Sequence, residues 1–580
     1  MTNAPGMSIN LLRWGRVAAL AAWLCAAPAW GQDAPEAAPA GDAQKATADA
    51  SAATVAPPAD SAAERADVAD PPPADGADAA AGVGGATPDA ESDAPADHAV
   101  DAGMADGAGS GAAGAPSGGD AADGETDPGG HQAAPDVYRD FGDYYVRHGM
   151  YAEAESAYRK ALGQAPDAVS LHVKLADVLR ELGRDQEALE LLERGLALDP
   201  KGLEVRNNLG VALTEMGRYG EAERLYEELL AEHPAYAPGY VNHGVALLRD
   251  GQGELAVAQY NKAIALDPDN TVTYYNIGTA YLRMGHPKEA LSYYDRALER
   301  DQDQAKIHNN RGVALRALGR LDEAAEAYGR AVALDTDQPD YHFNMGVVEA
   351  ELGNVDLSID AYRQVLALNE RYPGVHNNQG GNFFGVGVYS QAEKYFSRAT
   401  ELWPDDPVAH NNLCVVHLAR NRLDDALLAC DKAVEIDPEH RDGYYNRIQV
   451  MLRLGRFEGA LHAGQALLAR LGPDDQGERA QVLTAISAAH FGLGQLEPAA
   501  DAARQAMQAD PQLARAYYNL GRALQQAGDT RKALDVYLQA RELAHDDPEV
   551  YMRLGEVYAE LGNQEEADAA IRRGSRLKVE

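Results

Sequence analysis

A period of thirty-four residues runs from Pro135 to the end of the chain, and it narrows the fold more than any other feature. Its most regular mark is one glycine per unit: Gly149, Gly183, Gly217, Gly251, Gly285, Gly319, Gly353, Gly387, Gly455, Gly494, Gly528 and Gly562, with Asn421 alone breaking the series. Glycine, and after it asparagine, closes a helix in the left-handed conformation, so the column predicts thirteen helix C-terminal caps. A chain repeating at this length builds a line of helix pairs, each packed only on its neighbours. The expected fold is an all-α solenoid of about thirteen helix pairs, one array despite a length of 580 residues.

The residues before the array divide in two. Residues 1–31 carry Arg13 and Arg16, an apolar run from Val17 to Ala27, and the small residues Ala29 and Gly31 around Trp30, which predicts an export signal peptide. That run is shorter than the roughly 20 residues a spanning helix needs, and Pro28 interrupts it, so no stable membrane span is expected once the signal is removed. The protein is therefore expected to be exported, to a periplasm; an uncleaved anchor in the inner membrane is the alternative. Residues 32–134 hold 20 acids against Lys45 and Arg65 and almost no large apolar side chain, too little to offset ordering entropy, and are expected to form a disordered acidic linker.

Charge excludes one class of partner. The formal charge is −39, and from Pro135 onward 70 acids face 47 bases, a surface that repels phosphate backbones. Nucleic acid is not an expected partner.

With units starting at Pro135, Val169, Leu203, Ala237, Thr271, Ala305, Pro339, Pro373, Pro407, Arg441, Ala480, Ala514 and Pro548, a first helix (helix A) is predicted over positions two to fourteen. A second (helix B) follows from seventeen to thirty-one, often stopped by proline at thirty-two, as at Pro166, Pro200 and Pro234. Repeats one to ten are expected over 135–474, an inserted loop at 475–479, and repeats eleven to thirteen over 480–580. Glycine at position eight, as in Gly210, Gly244, Gly278 and Gly312, and alanine at position twenty predict a close approach of the paired helices, with larger groups at eleven and twenty-four filling either side.

Small at eight, glycine at fifteen, alanine at twenty, aromatic at twenty-four, small at twenty-seven and proline at thirty-two together resemble the tetratricopeptide repeat (TPR), over Pro135 to about Leu577. The resemblance implies a right-handed superhelix with the A helices on its inner face, holding peptides or other proteins. Position six is asparagine at Asn208, Asn242, Asn276, Asn310, Asn344, Asn378, Asn412 and Asn446, and again at Asn519. That column resembles the asparagine ladder in the TPR superhelix of O-linked N-acetylglucosamine transferases, without the transferase domain, and implies amides that grip a ligand's main chain; the alternative is that they only cap local hydrogen bonds or link neighbouring repeats. The chemistry is apt, since a carboxamide offers a donor and an acceptor to a peptide group irrespective of side chain.

Position nine adds Val211, Val245, Thr279, Val313, Val347 and Val415, and position five adds Tyr275, Phe343 and Tyr445, a nearly uncharged groove. The family's clamp for a chaperone's C-terminal carboxylate needs lysine at position five, where Val173, Asn207, Val241 and Tyr275 stand, so that ligand is disfavoured. In the eighth unit Gly380, Gly381 and Gly385 beside Phe383 and Phe384 fit either an anchor pocket, with Phe384 facing the groove, or a loosely packed helix with ordinary core phenylalanines.

His308, His342, His376 and His410 recur at position four, but stacked equivalents stand too far apart to ligate one zinc at about 2.1 Å, and packing at the repeat interface is expected. Cys414 and Cys430 fall on partner helices of one unit; a disulfide and two buried free thiols both fit. No catalytic set, metal site or cofactor-binding motif is found, and no enzyme activity is expected. The function expected is a non-catalytic scaffold of the bacterial-type cell envelope holding extended polypeptide in its groove. The alternative is an adaptor docking folded subunits of a secretion or polysaccharide-export assembly on its convex surface.

Overall fold

The computed structural model describes residues 134–578. These form 26 α-helices in thirteen pairs, from Pro135–Arg147 to Gln564–Leu577, with no strand among the described residues. The fold is an all-α superhelical repeat. The expected signal peptide and linker lie outside the described residues, save Ala134, the extended residue before the first helix.

Eleven of the thirteen A helices occupy positions one to thirteen, one residue earlier than predicted, because position fourteen already turns toward ψ near 0°, as at Leu182 (φ −85°, ψ 1°); the eighth, Val375–Gly385, begins two residues later. The glycine then takes positive φ in all twelve units that have it, and Asn421 takes φ 58° in the ninth. The third unit shows how the end is satisfied: the Gly217 amide donates to the Thr214 carbonyl at 3.1 Å and the Arg218 amide to Leu213 at 2.8 Å. This paired bonding saturates carbonyls the helix leaves open, and an L side chain at that φ would be strained. Eleven of the B helices end at position thirty, one residue short of the expected end, since the residue before proline is driven out of the helical region; Asp199, before Pro200, has φ −134° and ψ 85°, while Pro287–Leu298 and Phe457–Leu468 stop two residues sooner. Asp335 ends its helix the same way before Thr336, so the turn itself favours this geometry and proline reinforces it.

Within a pair the closest contact is a ring on a bare backbone. A Cβ added at Gly210, position eight, would sit 2.4 Å from the Tyr226 ring at position twenty-four, and one at Gly312 would sit 2.7 Å from Tyr328. The expectation that position twenty-four fills space beside the glycine is corrected: the ring lies on it. Position twenty does face position eight, for the Ser358 hydroxyl donates to the Gly346 carbonyl at 2.6 Å. The balance favours this arrangement, because a buried tyrosine removes about 150–250 Å² from water, worth about 4–6 kcal/mol, against about 1 kcal/mol for a helical glycine.

Between pairs, successive A helices touch one another from Val169–Glu181 to Ala514–Gln526 more closely than successive B helices do, which places the A helices on the inner wall of the curve. The predicted loop at 475–479 is corrected. Residues 476–479 instead begin the eleventh A helix, Gln476–Gly492, which therefore has 17 residues, and stacking against the tenth pair continues across the join. Among the described residues no helix is long and apolar enough to cross a membrane.

Candidate functional site

Along the inner wall, A-helix positions six, nine, twelve and thirteen come together between the third and fourth units. The wall's central feature, the asparagine column, is engaged inside the array. Position six of one unit lies against position five of the unit before it, 35 residues back. Asn242 Nδ2 donates to Asn207 Oδ1 at 2.9 Å, Asn344 to Asn309 at 2.9 Å, Asn446 to Asn411 at 2.8 Å, Asn412 to Asn377 at 3.5 Å, and Asn310 to the Tyr275 hydroxyl at 3.0 Å.

The exceptions follow from the same rule. Val173 offers no acceptor, and Asn208 bonds the Glu204 carbonyl of its own helix at 3.0 Å. Phe343 offers none either, and Asn378 turns to the Tyr362 hydroxyl at 3.3 Å. Val241 leaves Asn276 Nδ2 buried without a partner. Asn242, Asn276, Asn378 and Asn412 are 1–6% exposed, whereas Asn208, Asn310, Asn344 and Asn446 are half-buried.

The expected main-chain grip is corrected accordingly: neighbouring A helices approach so closely that the column's amino groups tie repeat to repeat. Each such bond contributes about 0.5–1.5 kcal/mol net, and a buried amide without one costs about 1–3 kcal/mol. Of the position-five partners, Asn207 was noted only as standing where a clamp lysine would, and Asn309, Asn377 and Asn411 were not singled out from sequence. Their signal was available: an Asn-Asn pair followed one repeat later by another asparagine.

The aromatic anchors move as well. Phe384 is 3% exposed and packs against Ala392, Phe396 and Val416, with its ring 5.2 Å from Tyr389; it is core, and the half-buried residue is Phe383, stacked on Tyr395 at 5.5 Å. Phe343 is buried between Tyr362 and Tyr372, at 5.7 and 5.0 Å. Tyr275 is half-buried, its hydroxyl accepting from Asn310.

What remains accessible along the wall is apolar. Val211, Val245, Thr279, Val313 and Val415 are half-buried at position nine. Between the third and fourth A helices Val211, Val245, Thr214, Glu215, Asn242 and Arg249, with Tyr226 behind them, line a cavity of about 30 Å³. Glu215 there is held by Arg180 of the preceding unit through two bonds of 2.5 and 2.6 Å, and Arg316 and Glu351 repeat that clasp, so the charges near this wall are matched.

Three further groups resolve. Nε2 of His308, His342, His376 and His410 bonds the carbonyl six residues back at 2.9–3.0 Å, and Tyr274 and Tyr517 do the same with their hydroxyls; position four fastens the turn between units. Cys414 and Cys430 are joined in a disulfide with both residues fully buried. His243, missed from sequence, is buried beside Tyr226 with neither ring nitrogen bonded, and burial first, then the nearby Lys262 charge, lowers its pKa to about 4.

An array of helix pairs with a continuous inner wall defines a helical-repeat scaffold for binding other proteins. Sequence profiles described as "Tetratricopeptide repeat" match residues 139–202, 275–339, 325–375, 378–441 and 518–575, and also 186–241, while one described as "TPR repeat" matches 246–285. The chain belongs to the tetratricopeptide-repeat family.

Among similar proteins, "Protein STIP1 homolog" of Dictyostelium discoideum is 34% identical over 88 residues, 15% of this chain and 15% of that protein. "Serine/threonine-protein phosphatase 5" of Rattus norvegicus is 29% identical over 95 residues, 16% of this chain and 19% of that protein. The match thus spans less than a fifth of either relative. The solved structure "Crystal structure of APC/C hetero-tetramer Cut9-Hcn1" aligns over 77% of this chain and 94% of its own at 15% identity and a TM-score of 0.39.

Proposed function

We propose that the inner wall of the A helices holds an extended, largely neutral stretch of a partner polypeptide. The observation that carries this reading is the half-buried stripe of Val211, Val245, Thr279 and Val313 along the third to sixth units, interrupted by the buried Val347 and by Gly381 and resumed at Val415, with the charges beside it paired. The cavity between the third and fourth units is suited to a small side chain. The oxygens of the half-buried Asn208, Asn344 and Asn446 supply acceptors for ligand amides, a weaker contribution than a full amide grip. Net bonds of about 0.5–1.5 kcal/mol do not offset ordering costs of about 1–2 kcal/mol per residue, so burial of ligand side chains must supply the affinity. The work is done outside the cytoplasm, a reading supported by the signal-like residues 1–31 and by the buried Cys414–Cys430 disulfide.

The test is a displayed peptide library. Changing Val211, Val245 and Val313 together to aspartate is expected to lower binding of selected peptides by more than tenfold with helicity intact. Unchanged binding rejects the wall as the site. N-terminal sequencing of the protein from a periplasmic extract tests export; an intact residue 1 rejects signal cleavage.

Leu428, Leu255 and Leu357 are 73%, 52% and 51% exposed on B helices, and they favour a second reading in which folded partners dock outside. Site-specific crosslinking from these leucines and from the valine stripe separates the two.

A further inference from the structure

The apolar column at position nine does not continue to the end. After Gln449 and Ala488 it reaches Arg522, on the A helix Ala514–Gln526. The Arg522 guanidinium stands 4.1 Å from the Phe491 ring centre and 5.7 Å from that of Tyr518. It is half-buried and has no hydrogen-bond or ion-pair partner among the described residues.

The nearby carboxylates are engaged elsewhere. Glu549 pairs with Arg515 at 2.9 Å, Glu556 with Arg553 at 2.6 Å, and Asp547 accepts from the Glu549 amide at the cap of its own helix. Burial, and then the like charges of Arg515 and Arg553, depress the Arg522 pKa, while Tyr518 and Tyr537 oppose this.

Arg180 and Arg316, at position twelve of their A helices, by contrast each meet a glutamate of the next unit. A half-buried guanidinium between ring faces is oriented, and its free N–H edge matches the two oxygens of a carboxylate. In a chain so rich in acid, one fixed unmatched cation is a place where an acidic side chain is attracted and not repelled.

We propose that Arg522 seats one aspartate or glutamate side chain of the extended polypeptide, setting the register of the ligand at the C-terminal end of the wall. The inference rests on the groove reading above.

The full chain is panned against a displayed library of random twelve-residue peptides, in parallel with Arg522→Gln and Arg522→Lys. Peptides selected by the wild type are expected to carry an acidic residue at a preferred position. Replacing that residue by its amide should weaken binding about tenfold, the usual scale of a charge-assisted contact. Arg522→Gln should abolish the difference while leaving amide-peptide binding unchanged, and Arg522→Lys should keep part of it.

Selected peptides without acidic preference, or a preference that survives in Arg522→Gln, overturn the assignment but leave the groove reading standing. If no peptide is enriched, the groove reading fails, and glutarate decides the Arg522 site by itself. Slowed phenylglyoxal modification of Arg522 with millimolar glutarate, read by mass spectrometry, upholds a carboxylate seat, and an unchanged rate overturns it.

Discussion

The third and ninth units fill the same two positions in different ways. In the third, Gly210 has no side chain and the Tyr226 ring lies on its backbone; in the ninth, Cys414 and Cys430 close the same space with a bond, their Cα atoms 5.2 Å apart. The ninth unit also replaces the capping glycine with Asn421, yet its backbone takes the same left-handed turn. In both units the gap between the paired helices is filled, by a ring on a glycine in one and by a covalent link in the other.

The largest expected effect breaks the link. Changing Cys414 and Cys430 together to alanine should cost about 3 kcal/mol, the chain-entropy value for a loop of this length, sharpened by the void left behind. Hydrogen exchange in Pro407–Ala419 and Leu423–Ile436 reports the loss. Cys414→Gly with Cys430→Tyr should recover most of that protection. If the ring variant is no better protected than the alanine pair, the two solutions are not equivalent.

The converse change belongs to the third unit. Gly210→Ala gains about 1 kcal/mol of helix propensity, but its Cβ would stand 2.4 Å from the Tyr226 ring, whose hydroxyl is also bonded to the Asn207 carbonyl at 3.2 Å. Overpacking should win by about 1–2 kcal/mol in a denaturation midpoint. Gly329→Ala is the control, since nothing stands within 4 Å of its added carbon, and it should stabilise by about 0.5–1 kcal/mol.

A third effect sets the junction of the third and fourth units apart from the ninth unit by pH. Burial holds the His243 pKa at about 4, below the roughly 6.5 of an unfolded chain. Between those values the unfolded chain binds a proton that the folded chain does not, so stability is full above pH 6.5 and falls as pH drops toward 4. The loss should be about 2 kcal/mol by pH 5, localised to the third and fourth units. His243→Leu should flatten that slope, and an unchanged profile would mean another group carries it.

The array was legible because its signals are local. A glycine every thirty-four residues reports a backbone angle, and alanine at position twenty reports a near neighbour; neither depends on distant context. The helix register shifted by one residue for the same kind of reason, since caps and pre-proline strain act at the ends. The candidate site was less legible. Whether Asn242 faces a ligand or Asn207 depends on how far the next A helix stands, a distance no single repeat encodes. Phe384 looked like an anchor because of the glycines around it, but facing core groups close over its ring. Arg522 was passed over because only the absence of a partner distinguishes it, and absence is visible in three dimensions alone.

The smallest effect concerns the junctions on either side of the fourth unit. Asn242 has an acceptor in Asn207, whereas Asn276 meets Val241 and keeps a buried donor unpaired. Val241→Asn should therefore be nearly neutral, a lost apolar contact offset by a new bond of about 1 kcal/mol to Asn276. With Asn276→Leu already in place, the same change introduces an amide without its partner and should cost more than 1 kcal/mol. The double-mutant cycle thus predicts a coupling of about 1 kcal/mol between positions five and six of successive units, measured by denaturation of the full array. A coupling near zero would mean that the amides merely sit beside one another, and that the ring on the glycine holds the repeats in register without them.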